Sequence, residues 1–178
     1  MRFRRLLAGT TGLTFFLLLL GVYTKEVGAD LTCGMRWPLC DGGVFGLFPA
    51  NMASFVEWFH RLIALVVGLL IIWTVYRAIR EYGRGSRITR AVGGALLLLP
   101  VQAGLGALTV LKARLFTVQT RLVIEPLISV AHYGTGVLLF TCLVAGTLWA
   151  YENARGASSV QTDMATPAAA EDRITGDD

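Results

Sequence analysis

Apolar residues in this chain come in blocks far longer than the turns of an ordinary amphipathic helix. Charge-free runs occupy Leu6–Tyr23, Ala91–Leu111 and Pro126–Tyr151, and the last contains His132. Each can cross a hydrocarbon core of about 30 Å, which takes roughly 20 helical residues. A fourth run, Leu62–Tyr76, reaches that length only with the preceding turn that holds Glu57, His60 and Arg61, so that turn is expected inside the membrane's outer edge. The pattern predicts helices over 6–24, 53–79, 89–111 and 126–151, running up, down, up, down. In lipid every backbone group must be satisfied within a helix, so the expected fold is an all-α, integral membrane four-helix up-down bundle. Pro100, in mid-span, is expected to kink the third helix, and Gly93, Gly94, Gly104 and Gly106 to let its neighbours approach closely.

Composition agrees: 54% of residues are hydrophobic and only 16% charged, far from the balance of a soluble domain. Arg2, Arg4 and Arg5 ahead of an apolar run, with Val27-Gly28-Ala29 after it, raise the alternative of a cleaved signal peptide. The run exceeds the roughly 7–15 residues of a signal core, and Lys25 and Glu26 interrupt the approach to the site, so a membrane helix is the better reading. Lysine and arginine are retained on the cytoplasmic side. Three arginines precede the first helix, and Arg77, Arg80, Arg84, Arg87 and Arg90 crowd the second connection. The longer first and third connections hold only Lys25 and Arg36, then Lys112, Arg114 and Arg121. A multi-pass protein of the cell membrane with both termini cytoplasmic is therefore expected. The net charge of +4 is a topology signal placed near anionic lipid heads rather than a nucleic-acid surface. Residues 152–178 carry six acidic and two basic residues among Ala, Ser and Thr, a composition expected to be disordered.

The connection over 25–52 contains Cys33 and Cys40 around Arg36-Trp37-Pro38. Topology puts both cysteines on the oxidising side, and a turn at Pro38 lets them meet, so a disulfide is expected. Both a structural staple and a redox-active pair remain open for it. Cys142, deep in the last helix, reads as a small packing residue.

The two histidines, His60 and His132, both fall in membrane helices near their outer ends, where ionisable groups are costly and point to function. Helices two and four are diagonal in such a bundle, so two imidazoles could reach one planar cofactor from opposite faces. The spacing clears room for it: Ala64 and Gly68 follow His60 on one face, Gly136 follows His132, and Gln102, Gly106 and Thr109 form a small polar stripe on helix three. Bis-histidine heme needs only these ligands, whereas zinc would be under-ligated. Glu57 shares the face of His60 and could take a proton at the heme edge; Arg61 could pair with a propionate. The plainer reading of Glu57 and Arg61 is an ion pair at the membrane surface, and of the histidines a hydrogen bond between helices.

The ordered set Gly28-Ala29-Asp30-Leu31-Thr32-Cys33, Trp37-Pro38-Leu39-Cys40, Glu57-Trp58-Phe59-His60-Arg61, Gln102-Ala103-Gly104-Leu105-Gly106-Ala107-Leu108-Thr109-Val110 and His132 resembles the amino-terminal half of the heme A synthase family, over residues 1–151. The resemblance implies oxidation of a methyl group of heme O to the formyl group of heme A, for terminal oxidases. It implies His60 and His132 as iron ligands, Glu57 as the catalytic group and Cys33–Cys40 as a disulfide. Heme O is the implied substrate and heme B a prosthetic group; heme O synthase or terminal oxidase subunits are the implied partners. Typical members are about twice as long and contain two bundles, so a homodimer or larger homo-oligomer is expected here. Two other functions fit in part. A membrane cytochrome b or heme carrier explains the histidines but leaves Glu57 and the cysteines without a task. A quinone-coupled thiol oxidoreductase would normally need a tighter Cys-x-x-Cys and a second pair.

Overall fold

The computed structural model describes residues 3–29, 31–34, 40, 51–115 and 117–171. The Arg36-Trp37-Pro38 turn, Asp30 and Leu39 lie outside the described residues, as do the side chains of Lys112, Arg114 and Arg121. The described chain is all-helical: α1 is Phe3–Glu26, α2 Met52–Tyr82, α3 Arg87–Leu115 and α4 Val118–Glu171. All four are long and apolar enough to cross a membrane. With 31 residues, α2 is roughly 46 Å long at 1.5 Å per residue. Large apolar side chains such as Leu19, Trp73, Leu97, Val130 and Leu148 are exposed on the outside of the bundle, where lipid rather than water is their natural solvent.

The first three helices extend up to about a turn beyond their expected ends because the chain there is closed by polar groups that hydropathy does not register. Asn51 caps α2 by accepting the Ser54 amide at 2.9 Å. Gly83, at φ 77°, ends α2 in a conformation that disfavours side chains, its amide reaching Ile79 O. Ser86 then accepts the Thr89 amide at 3.1 Å to open α3. Pro100 stays within α3, where it removes one helical donor. Beyond the apolar run α4 continues to Glu171, through residues whose composition leads to an expectation of disorder. An established helix adds a backbone bond for nearly every further residue it fixes, so elongation is easier than nucleation.

The topology is a closed ring in which α1 packs on α2, α2 on α3, α3 on α4 and α4 on α1, leaving α2 and α4 diagonal. The chain direction alternates: Phe3 at the start of α1 meets Tyr82 at the end of α2, ring centroids 5.2 Å apart, and Arg87 at the start of α3 pairs with Glu152 at 2.9 Å. This end of the bundle, with the Gly83–Ser86 turn, is solidly packed. Its core is Phe3, Leu7, Ile71, Val92, Ala95, Leu139 and Leu143 with their neighbours. Small residues bring α3 and α4 together there; a Cβ on Gly94 would stand 3.3 Å from Cys142 Sγ, and one on Gly146 3.0 Å from Val92 Cγ1. Threonines tie α1 across the ring, Thr10 to Thr74 of α2 at 3.3 Å and Thr11 to Thr147 of α4 at 2.9 Å. The opposite end, which carries the cysteines, is open inside.

Candidate functional site

A cavity of about 880 Å³ lies between the four helices at the cysteine end. It is in the size range of sites for drug-sized and cofactor ligands. α2 contributes Glu57, His60, Arg61, Ala64 and Gly68; α3 contributes Gln102, Gly106 and Thr109; α4 contributes His132 and Gly136. The cavity thus gathers all ten side chains and glycines singled out on these three helices. Lower in the bundle its wall turns apolar, with Leu17, Leu65, Leu69, Leu99 and Leu139.

Each imidazole lies against a glycine of the preceding helix. A Cβ built on Gly21 of α1 would stand 3.0 Å from His60 Cε1, and one on Gly106 of α3 3.2 Å from His132 Cε1. Gly136 is likewise closed to a side chain, since its Cβ would meet Leu18 at 2.9 Å and Gln102 at 3.1 Å. Gly68 faces Leu99 at an ordinary 3.7 Å. Gln102 Nε2 stands 3.5 Å from His132 Nε2, a marginal hydrogen bond. His60 Nδ1, His132 Nδ1 and Gln102 Oε1 are buried without a hydrogen-bond partner. Buried polar atoms are normally paired, and imidazoles left this way on two diagonal helices are the arrangement a metal-centred plate would need. The residues present therefore fit a porphyrin bound through His60 and His132.

Glu57 occupies the cavity's edge at 3% exposure and is held by three donors. The Cys33 amide donates to Oε2 at 2.8 Å, the Thr32 hydroxyl to the same oxygen at 3.3 Å, and Arg61, one turn along α2, pairs with Oε1. The Cys33 amide reaches it because, just past the end of α1, Gly28 takes φ 67° and the chain turns back so that the Ala29 amide bonds Thr24 O at 2.9 Å. Cys33 and Cys40 form a disulfide with Cα atoms 4.4 Å apart. Both sulfurs lie near the Ser54 carbonyl, at 3.7 and 3.8 Å, on the first turn of α2. The cysteine loop is therefore fastened to the helix that carries His60, but the cysteines are not part of the cavity wall.

Sequence reasoning missed the contribution of α1. Gly21, Lys25 and the threonines Thr14 and Thr24 line the cavity, as do Ser129 and Tyr133 of α4 and Trp58 of α2. Gly21 reads in the sequence as one glycine among many, and Lys25 as the charge that ends a membrane span.

Comparison with known proteins places residues 4–172 in a match to the COX15-CtaA family model, described as a cytochrome oxidase assembly protein. The chain is 33% identical over 165 residues to a protoheme IX farnesyltransferase of Haloarcula marismortui, covering 93% of this chain and 32% of that protein. It is 30% identical over 112 residues to a heme A synthase of Macrococcus caseolyticus, covering 63% of this chain and 37% of the relative. With a heme A synthase of Bacillus licheniformis the identity is 27% over 144 residues, 80% of this chain and 43% of the relative. The chain spans between about a third and less than half of the length of these relatives.

Proposed function

The chain belongs to the COX15-CtaA family of cytochrome oxidase assembly proteins, and on that footing we propose that it binds heme O between His60 and His132 and oxidises one porphyrin methyl group to the formyl group of heme A. The observation that carries this reading is the pair of half-buried imidazoles on diagonal helices, each with a buried and unpartnered Nδ1, lining a cavity of about 880 Å³. Conversion of a methyl to a formyl group consumes one water and releases four protons and four electrons. An external electron acceptor is therefore part of the proposal, and heme B as a second, electron-passing group belongs to it too. Glu57, fixed at the cavity edge by Cys33, Thr32 and Arg61, is the group we assign to steady positive charge or accept a proton at the reacting methyl. Arg61 beside it would hold a propionate.

The same reading proposes the cysteine end as extracytoplasmic and both termini as cytoplasmic. It further proposes that two copies of this single bundle pair in the membrane. The Haloarcula relative, named for farnesylating protoheme, supports a heme O synthase as the neighbour that supplies the substrate. A second reading, a cytochrome b or heme carrier without catalysis, is favoured by one observation: Glu57 already has structural partners, so it does not require a chemical task.

The deciding experiment expresses the chain in a host that makes heme O but no heme A, purifies it in detergent and identifies the extracted heme by chromatography and mass. Heme A or its hydroxylated precursor is the expected product. Heme B or O alone, alongside a bis-histidine spectrum, would sink the synthase reading in favour of the carrier.

A further inference from the structure

Lys25, on the last turn of α1, reaches across the ring rather than outward. Its Nζ donates to Ser129 Oγ of α4 at 2.8 Å and stands 6.0 Å from the centroid of the Tyr133 ring. Ser129 precedes His132 by one helical turn, so this cation lies beside the α4 imidazole on the side of the cysteines. On α2, Arg61 directly follows His60 and its guanidinium pairs with Glu57. Both cations line the cavity. Arg61 is matched by Glu57, whereas among the described residues no carboxylate pairs with Lys25. A hydroxyl and an aromatic face hold an ammonium in position without neutralising it. Among the residues that line the cavity, its mouth therefore carries a surplus positive charge, and the rest of its wall is rich in leucine.

Resting on the reading of the cavity as a heme site, we propose that Lys25 anchors a carboxylate of the porphyrin and, with Arg61, forms a two-cation seat that fixes which edge of the plate faces the cysteine end. The probes that recognise this chemistry are dicarboxylate porphyrins, because both their acid groups lie on one edge. Cations from two adjacent helices, α1 and α2, meet that edge. The opposite edge is then directed toward Leu65, Leu69 and Leu99, where a long apolar substituent is accepted and a charged one refused. Lys25 is a binding and positioning residue, acting at a distance from the reacting atoms.

The test titrates detergent-purified full chain with hemin and with hemin dimethyl ester, following the Soret band, in the wild type and in Lys25→Ala and Lys25→Arg. The wild type is expected to prefer the free acid over the ester. Lys25→Ala should lose about tenfold in affinity for hemin, the scale of a charge-assisted hydrogen bond, with ester binding unchanged. Lys25→Arg should restore most of it. Equal losses for both ligands would show that Lys25 only braces α1 against α4, and no loss for either would remove it from the site. Either result overturns the seat while leaving a His60- and His132-dependent spectrum in the wild type. Failure of the wild type to give that spectrum would overturn the heme reading itself, and the seat with it.

Discussion

The seating of His60 on Gly21 can be tested by adding one carbon. In Gly21→Ala the new Cβ would stand 3.0 Å from Cε1, 3.7 Å from Nδ1 and 3.9 Å from Nε2 of the imidazole. Carbon pairs rest at about 3.5–4.0 Å, so the ring or the helix must yield by roughly half an ångström. α1 is poorly placed to yield, since Thr10 and Thr11 tie it to α2 and α4. Overpacking of this kind costs about 1–3 kcal/mol, while replacing glycine by alanine within a helix returns about 1 kcal/mol. The fold should therefore lose no more than about 2 kcal/mol, and the variant should insert and purify. The strain falls on the imidazole, and 1–3 kcal/mol there corresponds to a loss of about 5- to 150-fold in hemin affinity, with weakened low-spin character. Soret titration and electron paramagnetic resonance measure both. Gly12→Ala, on the same helix with nothing within 4 Å of its Cβ, is the control and should bind hemin as the wild type does. Gly106→Ala, 3.2 Å from His132 Cε1, should act in the same direction as Gly21→Ala but less strongly. Wild-type affinity and spectrum in Gly21→Ala would refute the assignment of His60 as a ligand seated on α1.

Two further outcomes follow from features away from the imidazoles. Gly146→Ala brings a Cβ to 3.0 Å from Val92 Cγ1 in the closed end of the bundle, and should lower stability in detergent by about 1–3 kcal/mol with hemin affinity preserved; a thermal melt as high as the wild type's would contradict that packing. Reducing the Cys33–Cys40 disulfide, whose cysteines are separated by 7 in sequence, should lower stability by about 2–3 kcal/mol, measured as a drop in melting temperature with reductant that the Cys33→Ser/Cys40→Ser variant does not show.

The membrane class, the four helices and the diagonal relation of α2 to α4 were legible because apolar run length and short connections leave few other solutions in lipid. The ten cavity positions on α2, α3 and α4 were legible because they combine uncommon chemistry with helical spacing, as in His60-x-x-x-Ala64-x-x-x-Gly68. What α1 supplies was not. Gly21 matters through what is absent from it, and Lys25 acts across the ring on a helix distant in sequence, so neither leaves a local pattern. The environment of Glu57 was also hidden. Its partner at Cys33 is a backbone amide, delivered by the positive φ of Gly28, and side-chain periodicity carries no information about such a donor. The ends of α1, α2 and α3 differ from expectation by up to four residues for a related reason: the caps at Asn51, Gly83 and Ser86 are polar and lie beyond the apolar runs.

The repeated contact of imidazole on glycine divides the site between two hairpins. α1 with α2 makes one half, His60 on Gly21; α3 with α4 makes the other, His132 on Gly106. A ligand grasped by both imidazoles is then a cross-brace, and its binding free energy is also resistance to the hairpins parting. At a hundred times its dissociation constant such a ligand adds about 2.7 kcal/mol to the assembled bundle. A chain without it keeps two buried, unpaired nitrogens and would part more readily. If His60 and His132 hold the ligand as proposed, loading the site would also protect the bundle from proteolysis of its opened form.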